Sequence, residues 1–141
     1  MLSMRALFAT IKSAIVRSAA ATQQAANPGA ASEATAARHL QAQGLTVLAR
    51  NVRCRGGEID LICRDGESIV FVEVRMRSRA DFGGAAGSVT RSKQGRVILA
   101  AQLWLQRAGV ATTQPPCRFD VVLLRAADDP QPEWIRNAFS A

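Results

Sequence analysis

Apolar and polar residues alternate along residues 57–64 and again along 68–77, with Asp65-Gly66 between the two runs. Strand side chains point alternately to two faces, so this pattern around an Asp-Gly pair predicts a β-hairpin. With Asp65-Gly66 at the tip, Arg64 faces Glu67, Ile62 faces Ile69, Asp60 faces Phe71 and Glu58 faces Glu73. Opposed residues share a face, and so do residues two apart. One face then carries Glu58, Asp60, Phe71, Glu73, Arg75 and Arg77. The other carries Ile59, Leu61, Cys63, Val70, Val72, Val74 and Met76, and belongs to the core.

The pattern elsewhere predicts four more elements. Residues 30–43 read as a helix that Gly44 stops. Residues 45–54 form a first strand. Residues 79–87 hold Gly83, Gly84 and Gly87, a composition suited to mobility or close approach to a ligand. Thr90 is placed to cap a second helix over 91–107, with Val97, Ile98, Ala101, Trp104 and Leu105 at helical spacing as its buried stripe. Gly109 ends that helix, Pro115-Pro116 is a linker, and residues 118–125 form a further strand. Its continuously apolar Val121–Leu124 stretch marks it as interior. Residues 134–139 are a short closing strand or a tail. The order is α-β-β-β-α-β plus this last segment. A helix between the third and fourth strands implies a mixed α/β sheet with helices packed against it.

Carboxylates inside apolar strand sequence are costly unless they are paired, hydrogen-bonded or bound to metal. In the register above, Asp60 and Glu73 are diagonal neighbours, roughly 7–8 Å apart at Cα. Two carboxylates at that spacing can share one divalent cation, and Arg75 projects beside them. The competing reading is an ion-pair cluster with Arg75, Arg77 or Arg53. Three carboxylates exceed what salt bridging needs, and surface pairs gain little, which favours the cation. Glu58 is either a further ligand or a hydrogen-bonding residue that shapes the Gly56-Gly57 turn.

At 141 residues the chain is long enough for one domain with a real core. Its net charge of +7 points to an anionic partner, nucleic acid before an acidic membrane surface. All but Lys12 and Lys93 of the 18 basic residues are Arg, whose fork matches phosphate geometry. Arg53, Arg55, Arg77 and Arg79 make a phosphate-tracking patch, and their binding is expected to be strongly salt-dependent. Lys93 and Gln94 open the second helix, where amide groups attract phosphate; a solvated helix start is the alternative. Cys54, Cys63 and Cys117 have no paired spacing and His39 is the only histidine, which argues against zinc. Scattered cysteines fit a reducing cytoplasm. No apolar run reaches the roughly 20 residues needed to span a bilayer. Residues 1–28 form a basic extension without acidic residues, read as a flexible arm, a targeting segment or an added helix. Residues 29–141 are the domain.

Several motifs together resemble a known family. They are Glu33 with Ala37, Asn51-Val52-Arg53, Gly57-Glu58-Ile59-Asp60-Leu61-Ile62, Phe71-Val72-Glu73-Val74-Arg75 with Arg77, Lys93-Gln94, and Arg118-Phe119-Asp120-Val121. The combination resembles the YraN family of bacterial proteins, over about residues 29–139. That family is similar to restriction-endonuclease-like proteins and Holliday-junction resolvases, whose core has the same α-β-β-β-α-β order. The resemblance implies a nuclease-type site with Glu33, Asp60, Glu73 and Arg75 as its catalytic residues. Asp60, Glu73 and the Val74 carbonyl would hold Mg²⁺, or Mn²⁺ in its place. It implies DNA as partner, branched DNA included, and a two-fold dimer to match a junction's symmetric strands. The departure is Arg75, where such nucleases usually carry Lys. Arg clamps phosphate but cannot readily act as a base. Arg118 and Asp120 either support the site or form a structural pair at a strand entrance.

Overall fold

The computed structural model describes residues 29–77, 89–109 and 115–141. The extension 1–28 and the whole glycine-rich stretch 79–87, Arg79 included, lie outside the described residues. The elements are α1 (Ala30–Ala42), β1 (Thr46–Cys54), β2 (Gly57–Asp65), β3 (Ser68–Met76), α2 (Arg91–Arg107), β4 (Cys117–Leu124) and β5 (Glu133–Phe139). The five strands make one sheet in the order β1-β2-β3-β4-β5. Only β3 and β4 run parallel, and α2 lies in the crossover that a parallel pair requires. The sheet is therefore mixed, as the element order predicts, and the segment left open as strand or tail is the edge strand β5. No described helix is long and apolar enough to cross a membrane.

Local chemistry sets the helix ends. Gly44 follows α1 with φ +99°, the left-handed conformation that glycine adopts without strain. At α2, the Thr90 hydroxyl accepts a hydrogen bond from the Lys93 N–H at 3.2 Å. That satisfies one of the amides left orphaned at a helix start.

The two helices cover opposite faces of the sheet. Val97, Ala100, Ala101 and Trp104 of α2 pack with Ile59, Ile62, Ile69, Phe71 and Phe119. Phe71 meets Trp104 edge-on, with centroids 6.3 Å apart, and stacks on Phe119 at 5.5 Å. On the other face, Ala36, Ala37 and Leu40 of α1 pack with Leu61, Cys63, Val70, Val72, Val122 and Leu124.

Two expectations about the hairpin are corrected. Asp65 pairs with Ser68, so Gly66-Glu67 forms the tip, one residue further on, and each β2 residue meets a β3 partner two residues beyond the expected one. The reason is glycine: Gly66 has φ +60° and takes the first central position, where one kind of two-residue hairpin requires it. The slide preserves parity. Leu61 faces Val72, so the next step along the pair brings Asp60 opposite Glu73 rather than diagonal to it. The second correction concerns the faces. Phe71 does not line an open polar face; it is buried under α2. Ile59 packs on that same side, whereas Leu61 and Cys63 pack under α1. Alternation in β2 is thus interrupted at Asp60. Its neighbour across the pairing, between Arg50 and Val52, is Asn51, which has φ +51°. β1 also carries an irregularity between Val47 and Ala49. Such kinks re-aim side chains, here those of the acidic end of β2.

Candidate functional site

The kinked end of the hairpin opens into a cleft of about 240 Å³ between the starts of α1 and α2. Gly29, Ser32 and Glu33 line it at the α1 side, and Asn51 and Arg53 from β1. Glu58 and Asp60 come from β2, Glu73, Val74 and Met76 from β3, and Lys93 from α2. The cleft therefore gathers Glu33, Arg53, Glu58, Asp60, Glu73, Val74 and Lys93 from five elements.

Glu73 sits deepest, at 2% exposure, while Asp60 is half-buried. Glu73 Oε1 lies 3.0 Å from Lys93 Nζ. Glu73 Oε2 is buried and no N–H or hydroxyl donates to it, while the Asp60 and Glu73 carboxyls lie within hydrogen-bonding reach of one another, so a proton held by Glu73 can be shared with Asp60. The Val74 N–H donates to Asp60 Oδ2 at 2.8 Å, so the β3 backbone fixes this carboxylate in the cleft. Burial pushes Glu73 up to about 7, the charge of Asp60 adds to the rise, and Lys93 opposes it. Burial likewise raises Asp60, against the Val74 N–H that favours its charged form. Lys93 is raised, first through its hydrogen bond to Glu73, and stays charged. Glu33, in the first turn of α1, is buried at the cleft wall.

Close packing places Lys93. A Cβ on Gly57 would strike the Arg96 carbonyl oxygen and press on Ala100, so glycine lets α2 lie directly against β2. Gln94 does not line the cleft; its side chain donates to the Val89 carbonyl at 2.9 Å and braces the entry to α2.

The remaining sequence candidates stand outside the cleft. Arg75 is half-buried, opposite Leu123 in the β3–β4 register. Arg55 is exposed in the β1–β2 turn. Arg77 forms an exposed ion pair with Glu133 at 2.7 Å. Asp120 is fully buried and accepts from Arg118 Nε, Trp134 Nε1 and the Asn137 N–H at 2.9–3.1 Å. Arg118 Nη2 also reaches Asp65 at 2.8 Å. This network ties β4 to β5 and to the hairpin tip.

The donors in the cleft suit a hard cation. Among the described residues no three His, Cys, Asp or Glu side chains gather into a metal cage. Mg²⁺ does not require one: it takes one or two carboxylates and keeps waters or substrate oxygens. Asp60, the Val74 carbonyl and Glu73 Oε2 are oxygen donors of that type. Ser32 and Asn51 carry no period or charge that marks them as lining residues, and Met76, which strand parity assigns to the core, is instead 43% exposed and lines the cleft. Asn51 alone carried a signal, since Asn is among the few residues that tolerate positive φ.

The model of "Uncharacterised protein family UPF0102" matches residues 32–124, which hold every cleft residue except Gly29. A UPF0102 protein of Dechloromonas aromatica (strain RCB) is 56% identical over 113 residues, 80% of this chain and 88% of the relative. One from Methylobacillus flagellatus is 57% identical over 109 residues, 77% of this chain and 93% of the relative. One from Janthinobacterium sp. (strain Marseille) is 54% identical over 113 residues, 80% of this chain and 87% of the relative. Family match, identity and coverage agree with the motif resemblance, and the chain belongs to the UPF0102 (YraN) family.

Proposed function

We propose that this protein is a Mg²⁺-dependent phosphodiesterase acting on DNA. The observation that carries the reading is the buried Glu73 Oε2, which no N–H or hydroxyl donor reaches, close beside the Asp60 carboxyl. An unsatisfied buried carboxylate oxygen costs stability, and binding a cation is a reason to keep one. The α-β-β-β-α-β core with a mixed sheet, similar to restriction-endonuclease-like proteins, supports the same reading by analogy. The charge of +7 supports an anionic polymer as substrate.

Asp60, Glu73 and the Val74 carbonyl would hold Mg²⁺, and Mn²⁺ suits the same oxygen donors. When bound, the cation supplies Lewis-acid polarisation of the phosphate and lowers the pKa of a nearby water. Hydrolysis consumes that water: its oxygen adds to phosphorus, one ester P–O bond breaks, and the leaving oxygen takes up a proton. The Val74 N–H holds the Asp60 carboxylate in one orientation throughout. Glu33 adds a third carboxylate at the cleft wall. Arg53 at the cleft, with Arg55, Arg75 and Arg77, supplies fixed positive charge along and just past β1 and β3 for the phosphate backbone, and Arg79 follows them in sequence. Four-way and other branched DNA is the substrate class we favour, with a two-fold dimer matching its symmetric strands.

A second reading is a nucleic-acid-binding module without chemistry. It is favoured by Arg75 in place of Lys and by the Lys93–Glu73 ion pair, which already neutralises part of the acidic charge. One experiment separates the two. End-labelled duplex, single-stranded, flap and four-way-junction DNA are incubated with the protein in Mg²⁺, Mn²⁺ or EDTA, beside Glu73→Gln. Metal-dependent cutting that the variant loses is expected. Salt-sensitive binding without cutting in either metal would instead establish the second reading.

A further inference from the structure

We propose that Lys93 is the cationic catalytic residue of this cleft, contacting a non-bridging oxygen of the scissile phosphodiester, the role that the strand motif would assign to Arg75. The proposal rests on the phosphodiesterase reading and assigns its substrate contact. Lys93 lines the cleft; Arg75 does not. An ammonium group has three donors, and the contact to Glu73 Oε1 uses one. The Lys93 side chain is 37% exposed and lines the cleft.

Its placement runs against helix physics unless it serves the site. The positive end of a helix dipole favours acidic side chains, and cations there are unfavourable. The first turn of α2 nevertheless has no acidic residue and carries Arg91 and Lys93. Residue choice points the same way, because Lys12 and Lys93 are the only lysines in a chain that otherwise uses Arg. A compact ammonium concentrates its charge beside Glu73 and still leaves donors for a phosphate oxygen; a planar guanidinium would be committed to a fork. The Thr90 cap and the glycine contact beneath Arg96 hold the backbone that carries it. Lys93 binding to Oε1 also leaves Oε2 for the cation, so one residue orders the carboxylate and meets the substrate.

The test combines cleavage with a binding readout. Single-turnover cleavage in Mg²⁺ is measured for wild type, Lys93→Gln and Lys93→Arg. In parallel, the salt dependence of binding to a labelled DNA duplex is measured in Ca²⁺ by anisotropy. Arg107→Gln, the same charge loss in the last turn of α2, is the control. Lys93→Gln should slow cleavage by about 100-fold, the scale for losing one donor to transition-state charge. Lys93→Arg should restore part of the loss. The slope of log affinity against log salt should fall by about 1 in Lys93→Gln and not in the control. A folded Lys93→Gln protein with wild-type cleavage and slope overturns the proposal and leaves the phosphodiesterase reading standing. If wild type binds but cuts nothing, that reading fails, and the slope alone decides: a fall keeps the phosphate contact and no change overturns it. Absence of any DNA binding by wild type overturns both. If Lys93→Gln does not fold, the double variant Glu73→Gln/Lys93→Gln removes both charges and is compared with Glu73→Gln. An equal slope in those two overturns the contact.

Discussion

Glu73→Gln separates a functional carboxylate from a structural one through stability alone. Burial first, then the Asp60 charge, hold the Glu73 carboxyl at about 7 against an ordinary 4.5. Between those values the folded protein binds a proton that the unfolded chain has lost. Stability from this residue is therefore complete below about pH 4.5 and declines as pH rises to 7. A tenfold difference in proton affinity is about 1.4 kcal/mol, so the full decline is about 3 kcal/mol. Glutamine keeps the shape, offers Lys93 an acceptor and never ionises. The variant should unfold with nearly wild-type free energy at pH 5 and be more stable by up to about 3 kcal/mol at pH 8. Urea titrations followed by circular dichroism at both pH values measure the difference; groups distant from Glu73 cancel, and the measured change is that of Glu73 together with its interacting neighbours Asp60 and Lys93. Adding Mg²⁺ at pH 8 should stabilise wild type by mass action and leave the variant unmoved. A variant that is less stable than wild type at both pH values would refute the reasoning, because Glu73 would then be a stabilising partner of Lys93.

Three further outcomes follow from the packing. Gly57→Ala should destabilise by about 1–3 kcal/mol, since its Cβ meets the Arg96 carbonyl; a change under about 0.5 kcal/mol in denaturant unfolding would contradict the contact. Asp120→Ala should cost about 1–3 kcal/mol and alter the fluorescence of Trp134, because it removes the acceptor of Trp134 Nε1 and the Asn137 N–H and one of the two carboxylates that pair with Arg118. Unchanged unfolding would show that the network is not structural. Arg77→Gln should change stability by less than about 1 kcal/mol, as its pair with Glu133 is exposed, and should weaken DNA binding at low salt; undiminished binding in an anisotropy titration would remove Arg77 from the interface.

The sequence carried the element order because its signals were local. Thr90, Gly44 and Gly109 mark helix ends by backbone chemistry, and α2 spans Arg91–Arg107 as its spacing predicts. The hairpin was legible in kind but not in register. Asp65-Gly66 suggests one turn type, whereas the tip that forms uses Gly66-Glu67. The face of Ile59 was not legible, because the break at Asp60 depends on Asn51 in the neighbouring strand. Asp60 and Glu73 were found as a pair because parity survives a one-residue slide of the tip. Lys93 beside Glu73 was out of reach for pattern reasoning, since it requires α2 to lie against Gly57, a contact between elements more than 30 residues apart. Arg118 and Asp120 illustrate the converse: a motif pair whose partners, Trp134 and Asn137, belong to the edge strand.

Glu73 Oε2, buried beside Asp60 with no N–H or hydroxyl donor, is expected to hold a divalent cation together with Asp60. Calorimetric titration of Mn²⁺ into wild type and Glu73→Gln at pH 7.5 tests it most directly. One binding site in wild type that is lost in the folded variant is the predicted result. No binding in wild type, or equal binding in both, would contradict it.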